Sequence, residues 1–281
     1  MKFQPSECIH RPLTVILLIG LAIGTSACGE ADDDRTSREM ATDSLHVLMV
    51  TGGAWHDFEG QKELLTREIS RRAPVRFTVV HEDGEDPQAS THKFSVLQEE
   101  NWHEGFDLVL YSHCGAWVTD VEYVESIPRV HREQQLPAVA LHCTMHSYRR
   151  ADTSEWHNFL GFYSPRHGPS YPFEVVNLAP DHPVMRTFPE RWMTPNGELY
   201  EEGELKETAT PLAHAMDREL NRYMVNVWVN HYHGARVFGT TIGHHTETMA
   251  DPVYLEMVTR GLLWAAGRLD DPGTDGGPGP E

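Results

Sequence analysis

Through the first half of the chain, apolar residues come in short continuous runs that end on polar groups, with amphipathic stretches between them. The run LHVLMVT, Leu45 to Thr51, stops at Gly52 and Gly53 and predicts a strand buried on both faces of a parallel sheet. DFEGQKELLTREISRR follows, with Phe58, Leu65 and Ile69 near one face and Asp57 placed as N-cap, so it predicts a helix. VRFTVVHE (Val75 to Glu82) and FDLVLYSHCG (Phe106 to Gly115) predict a second and a third strand. TDVEYVESIPRVHREQQ then predicts a helix interrupted by Pro128, and Leu136 to Leu141 a fourth strand. Alternating strands and helices imply a parallel sheet with helices on both faces.

The second half is less regular. FEVVNL (Phe173 to Leu178) predicts a strand, and MVNVWVN and ARVFGTTIG flank His231-Tyr232-His233-Gly234 as the arms of a hairpin. The final helix is the clearest. Asp251 caps it, Pro252 occupies its first turn, Tyr254, Leu255, Val258, Leu262 and Ala265 share a side, and Gly267 ends it.

Residues 1–27 do not fit this pattern. Lys2 and Arg11 precede an apolar stretch, Leu13 to Gly24, that is short for a bilayer span and reads as the hydrophobic part of a secretory signal. Thr25-Ser26-Ala27-Cys28 resembles a bacterial lipoprotein cleavage box, with Thr25 where such boxes prefer a larger apolar residue. That resemblance implies lipidation at Cys28, a location in the bacterial cell envelope, and membrane attachment only through the N-terminal lipid anchor. Residues 28–44 then form an acidic, disordered tether, 45–269 one folded domain, and 270–281 a disordered tail. A formal net charge of −19 repels phosphate backbones, which argues against nucleic acid as a partner. With Cys8 in the leader and Cys28 at the anchor, two of the four cysteines remain, Cys114 and Cys143; they form no recognisable disulfide framework, and their pairing stays open.

Chemistry concentrates where strands end. LPAVALHCTMHSY runs from an apolar strand straight into His142, Cys143 and His146. In an open parallel sheet ligands bind at the carboxyl ends of the strands. His56 follows the first strand, His113 and Cys114 close the third, His142 to His146 follow the fourth, and His244-His245 follow the hairpin, so these groups are expected on one edge. His142 and His146 are four apart, which on an α-helix places both rings on one face and makes a metal pair conceivable, although no glutamate lies between them. Zinc or another divalent ion therefore stays open. No nucleotide is expected, because no glycine-rich phosphate loop follows a strand.

GGAWHDFEG, AVALHCTMHS, FLGFYSPRHGPSYPFEVV, DHPVM, GELYE and GARVFGTTIGHHTETMADPVYLEMVTRGLLWAAG together resemble the successive blocks of the ThuA-like family, named for trehalose utilisation. The resemblance implies a fold of the class I glutamine amidotransferase-like type, an α/β flavodoxin-like three-layer sandwich with a mainly parallel sheet. Relatives with amidotransferase activity keep a cysteine on the turn after the fourth strand. Here a histidine, His142, takes that place, and Cys143, one residue later, is expected to face away from the site. The resemblance also implies His56, His142, His167 and His244 as acid/base groups, with Glu198 and Tyr200 as substrate contacts; His113, from its place at the end of the third strand, is expected as a further substrate contact. The implied ligand is a small carbohydrate, conceivably a keto-sugar or a disaccharide derivative. A sugar-binding lipoprotein without catalysis and a metal-dependent hydrolase are the alternatives.

Overall fold

The computed structural model describes residues 44–83, 90–201 and 203–269. The expected leader, the anchor at Cys28, nearly all of the tether and the tail lie outside these residues. The described parallel strands are β1 (Leu45–Gly53), β2 (Val75–His81), β3 (Leu108–Cys114) and β4 (Ala138–Leu141). They are followed by β5 (Phe162–Tyr163), β6 (His167–Ser170), β7 (Glu174–Asn177), β8 (Arg191–Met193), β9 (Glu198–Tyr200), β10 (Glu204–Leu205), β11 (Ala209–Asp217), β12 (Arg222–Tyr232) and β13 (Ala235–Thr240). The helices are α1 (Phe58–Arg72), α2 (Val121–Gln134), α3 (Glu155–Leu160), α4 (Thr246–Met249) and α5 (Pro252–Ala265).

The large sheet has nine strands in the order β2-β1-β3-β4-β13-β12-β11-β7-β8. Pairing is parallel from β2 through β4 to β13, then antiparallel from β13 through β12, β11 and β7 to β8. The sheet is thus mixed, with a parallel half and an antiparallel half, where the strand-helix alternation of the first half alone implied a mainly parallel one. Side-chain alternation along β1 feeds two cores: Val47 and Met49 pack with α1 and α5, whereas Leu48 and Val50 pack with α2 and α3.

Local chemistry fixes the elements. Asp57 caps α1 by accepting from the Gly60 N–H at 3.0 Å, and Asp251 caps α5 by accepting from the Val253 N–H at 2.8 Å. α2 runs without a break through Pro128, against the expected interruption. The ring removes one helical hydrogen bond, but Tyr123, Val124 and Ile127 on the same helix are buried in the second core and hold its course. Between β12 and β13 the chain reverses on His233 (φ 48°) and Gly234 (φ 95°), the double left-handed pair of a tight hairpin.

Trp228 anchors the junction of the two halves. Its ring stacks on Phe162 at 4.4 Å, its indole N–H donates to the Leu160 carbonyl at 2.8 Å, and it sits opposite Gly239 on β13. A Cβ on Gly239 would stand 2.4 Å from that indole, so the glycine is the space the tryptophan occupies. Trp228→Ala is expected to cost about 3–5 kcal/mol of stability, measured by urea unfolding.

Candidate functional site

The parallel register brings the ends of β1, β3, β4 and β13 together. At the first of these ends Gly53 takes φ 108°, and a Cβ there would stand 2.3 Å from the Cys114 carbonyl oxygen, so only glycine lets the first and third strand ends meet so closely. His56 lies just beyond. His142 follows β4 at φ 47°, a left-handed conformation uncommon for a residue with a side chain, and opens a tight 3₁₀ turn through His146. His244 follows β13 after Gly243 (φ 127°). Glu198 and Tyr200 arrive on β9, which pairs with β6 so that His167 stands opposite Tyr200.

Six of the seven expected residues converge. The ring of His56 is 4.9 Å from that of His142 and 4.7 Å from that of His244. The Glu198 carboxylate lies 3.2 Å from His244 Nδ1, 3.5 Å from His167 Nε2 and 3.6 Å from His142 Nε2. Tyr200 presents its hydroxyl to His142 Nε2 at 3.3 Å, and its ring stacks on His146 at 4.0 Å and on His167 at 5.4 Å. The tyrosine is therefore the hub between the two histidine turns.

The electrostatics follow from burial. Desolvation pulls the pKa of His56 down to about 4, against the opposing bond from its ring to the Ala54 carbonyl, and pushes that of His142 well below the ordinary imidazole value. For Glu198 burial acts upward, but the neighbouring imidazoles of His244 and His167 outweigh it and leave the carboxyl below its ordinary range. Desolvation drives the Tyr200 phenol well above its usual pKa, so it is a proton donor in a hydrogen bond at neutral pH.

A cavity of about 440 Å³ opens onto this cluster, lined among others by Trp55, Trp117, His56, His167, Glu198 and Tyr200. His142 is 3% exposed and stands behind that wall, reaching the cavity through Tyr200 and Glu198. His113 is a correction. It is fully buried, packed against Phe94, Tyr111, Tyr148 and Trp156 with Nδ1 on the Ser147 hydroxyl, and does not line the cavity. Every residue of β3 is buried through to Cys114, so the polar end of this strand is still core.

Cys143 is a second correction: it lines the cavity beside Cys114, to which it is disulfide-bonded, with the Cα atoms 5.1 Å apart. The strand rule that turned it away from the site does not apply, because the chain leaves extended geometry at His142. The same turn separates His142 from His146. At about three residues per turn, positions four apart no longer share a face, and the two rings meet Tyr200 on different sides instead of sharing an ion.

Trp55 and Trp117, on the cavity rim, were missed. Both follow Gly-Ala at the end of a strand, in GGAWH and CGAWV, and that recurrence was the available signal. Their rings meet edge to face at 6.2 Å, and the Arg150 guanidinium lies 4.8 Å from the ring of Trp117.

ThuA, described as trehalose utilisation, matches residues 47–265. The chain belongs to the ThuA family. Solved structures carry the ThuA fold across it: a putative ThuA-like protein from Parabacteroides merdae aligns at TM-score 0.61 and 19% identity, covering 81% of this chain and 92% of that one. Another from Bacteroides uniformis aligns at 0.54 and 12%, covering 79% and 92%. The cytoplasmic protein STM3548 from Salmonella typhimurium aligns at 0.53 and 11%, covering 78% and 98%. No curated protein matches the chain. Membership of the ThuA family ties this chain to carbohydrate metabolism.

Burial of neutral histidines away from the cluster has a consequence for stability. Desolvation lowers the pKa of His113 to about 3 and that of His131 to about 4. The unfolded chain takes up these protons near pH 6.5, the folded one only near 3 to 4, so acidification favours unfolding. The melting temperature is expected to be highest above about pH 6.5 and to fall steadily toward pH 4; His131→Gln should flatten part of that slope in a pH series of thermal melts.

Proposed function

We propose that this protein acts on a carbohydrate, an oxidised keto-sugar or a disaccharide derivative, by imidazole acid/base chemistry in the cavity at the strand ends. One observation carries the reading: a carboxylate, three imidazoles and a phenol meet at the floor of a cavity rimmed by two tryptophans. A sugar ring has an apolar C–H face and a polar edge of hydroxyls. Trp55 and Trp117, 42% and 37% exposed, offer flat surfaces to the first, and the Glu198 carboxylate offers an acceptor to the second. The cavity volume falls within the small-molecule range of about 300–1,000 Å³.

Proton exchange is assigned first to His167. It is the most accessible imidazole of the group, at 38% side-chain exposure, and its Nδ1–H donates to the Gly168 carbonyl at 2.8 Å. That bond fixes the tautomer and leaves Nε2 facing Glu198 and the cavity, where it can take a proton from, or return one to, a sugar hydroxyl or the carbon beside a keto group. His56 and His244 line the same wall, and His142 acts from behind it by holding Tyr200 in place.

Turnover of keto-disaccharides is the test. His167→Ala is expected to lower kcat by about 10²- to 10⁴-fold, His142→Ala to abolish turnover, and Cys143→Ala to leave most of it. Sugar binding without turnover in the wild type would reassign the protein as a binding lipoprotein, and full turnover in both histidine variants would overturn the imidazole chemistry.

A further inference from the structure

We infer that His56, His142, Glu198 and His244 form a binding site for one divalent metal ion of the zinc class, with its open side toward the cavity. The inference deepens the carbohydrate reading, on which the role of the ion rests, while the site itself stands on geometry alone.

The ring tautomers carry the argument. His56 Nδ1 is 2.9 Å from the Ala54 carbonyl and His142 Nδ1 is 2.7 Å from the Thr241 carbonyl. A carbonyl only accepts, so each Nδ1 holds the proton and each Nε2 presents a lone pair. Histidines that bind metals have this arrangement: one nitrogen donates to a backbone carbonyl while the other faces the ion. His56 Nε2 is buried and has no hydrogen-bond partner. His142 Nε2 meets only the Tyr200 hydroxyl at 3.3 Å and the Glu198 carboxylate at 3.6 Å. His244 Nδ1 lies 3.2 Å from that carboxylate, yet it too is buried without a properly directed hydrogen bond.

The cluster thus directs two fixed lone pairs and a carboxylate at one point, with a third imidazole beside them. The Tyr200 hydroxyl donates to the lone pair of His142, whereas His56 Nε2 is left without a donor, which is costly in a buried place. A divalent cation satisfies all of them. One ligand atom from each of the four residues lies within 4.8 Å of every other, so a modest contraction reaches the bond lengths of about 2.0–2.2 Å that zinc takes to nitrogen and oxygen. Three imidazoles and one carboxylate suit zinc and its neighbours over magnesium or calcium, which prefer oxygen. The backbone agrees: Trp55, next to a ligand, and His142, itself one, take φ of 70° and 47°, uncommon for residues with side chains. Strain of this kind persists where surrounding structure enforces a functional geometry.

A rival set exists in His56, Cys114 and Cys143. The two sulfurs are joined to each other, and a disulfide offers no thiolate to a metal. His56, Glu198 and His244 line the cavity, so a substrate oxygen could reach the ion there. In the carbohydrate reading, the bound ion polarises a sugar carbonyl or hydroxyl while His167, outside the ligand set, exchanges the proton.

The test is metal binding by the tag-free, oxidised full chain, stripped with chelator and titrated with Zn²⁺ by calorimetry without any sugar present. One ion per chain is expected, with affinity weakened about 100-fold or more in His56→Ala and in the near-isosteric Glu198→Gln, each checked for native circular dichroism. Substituting Co²⁺ should give visible d–d bands without a sulfur-to-metal charge-transfer band, and Cys114→Ser/Cys143→Ser should bind Zn²⁺ as the wild type does. Three results would overturn the assignment: no stoichiometric binding by the wild type, unchanged affinity in both ligand variants, or loss of binding in the cysteine variant. Because no sugar enters the titration, failure of the carbohydrate reading would show separately, as a metal-loaded protein that turns over no keto-sugar.

Discussion

The bond from the His142 ring to the Thr241 carbonyl ties the end of β4 to the chain leaving β13, and the rest of the site is arranged around it. It spans residues 99 apart in sequence, and it forms because β4 and β13 are parallel neighbours whose ends coincide. With Nδ1 committed, the other nitrogen of His142 can point only toward Tyr200 and Glu198. Tyr200 in turn is held flat against His146 and His167. One backbone carbonyl thereby sets the orientation of rings supplied by three different parts of the chain.

The surrounding fold protects this arrangement by making its supports apolar and rigid. Of the groups in the cluster, His142 and Tyr200 are almost wholly enclosed, while Glu198, His167 and His244 keep some contact with solvent. The enclosed members are the ones with fixed partners, and the accessible ones are free to meet a ligand. The disulfide between Cys114 and Cys143 adds a covalent tie between the ends of β3 and the turn after β4, on the cavity side of the same edge.

The parallel half of the sheet was legible in the sequence because strands buried on both faces read as continuous apolar runs, and their helices carry explicit caps at Asp57 and Asp251. In the antiparallel half β7 and the β12–β13 hairpin were legible, and β8 and β11 were hidden. β11 mixes buried and half-exposed residues and carries Pro211 near its start at Ala209, so it lacks both the apolar run and the usual strand composition. At the site, strand-end placement was enough to gather His56, His142 and His244, but not to separate His113, which shares that placement and stays in the core. The orientation of Cys143 was misjudged for one local reason: alternation along a strand says nothing about a residue beyond a left-handed turn. The Glu198 contacts came from a family resemblance, since a lone acidic residue in a short strand carries no signal of its own.

The position of β13 has a bearing on how the molecule is assembled. This strand lies in the middle of the sheet yet comes last in sequence among the described strands, so a growing chain must hold β4 and β12 without their shared neighbour until β13 follows. During that interval β4 has a bare hydrogen-bonding edge, an invitation to pair with another molecule. Pairings this distant in sequence also form slowly. A chain ending before Ala235 would therefore lose far more than a hairpin arm: the two halves of the sheet would have nothing to join them.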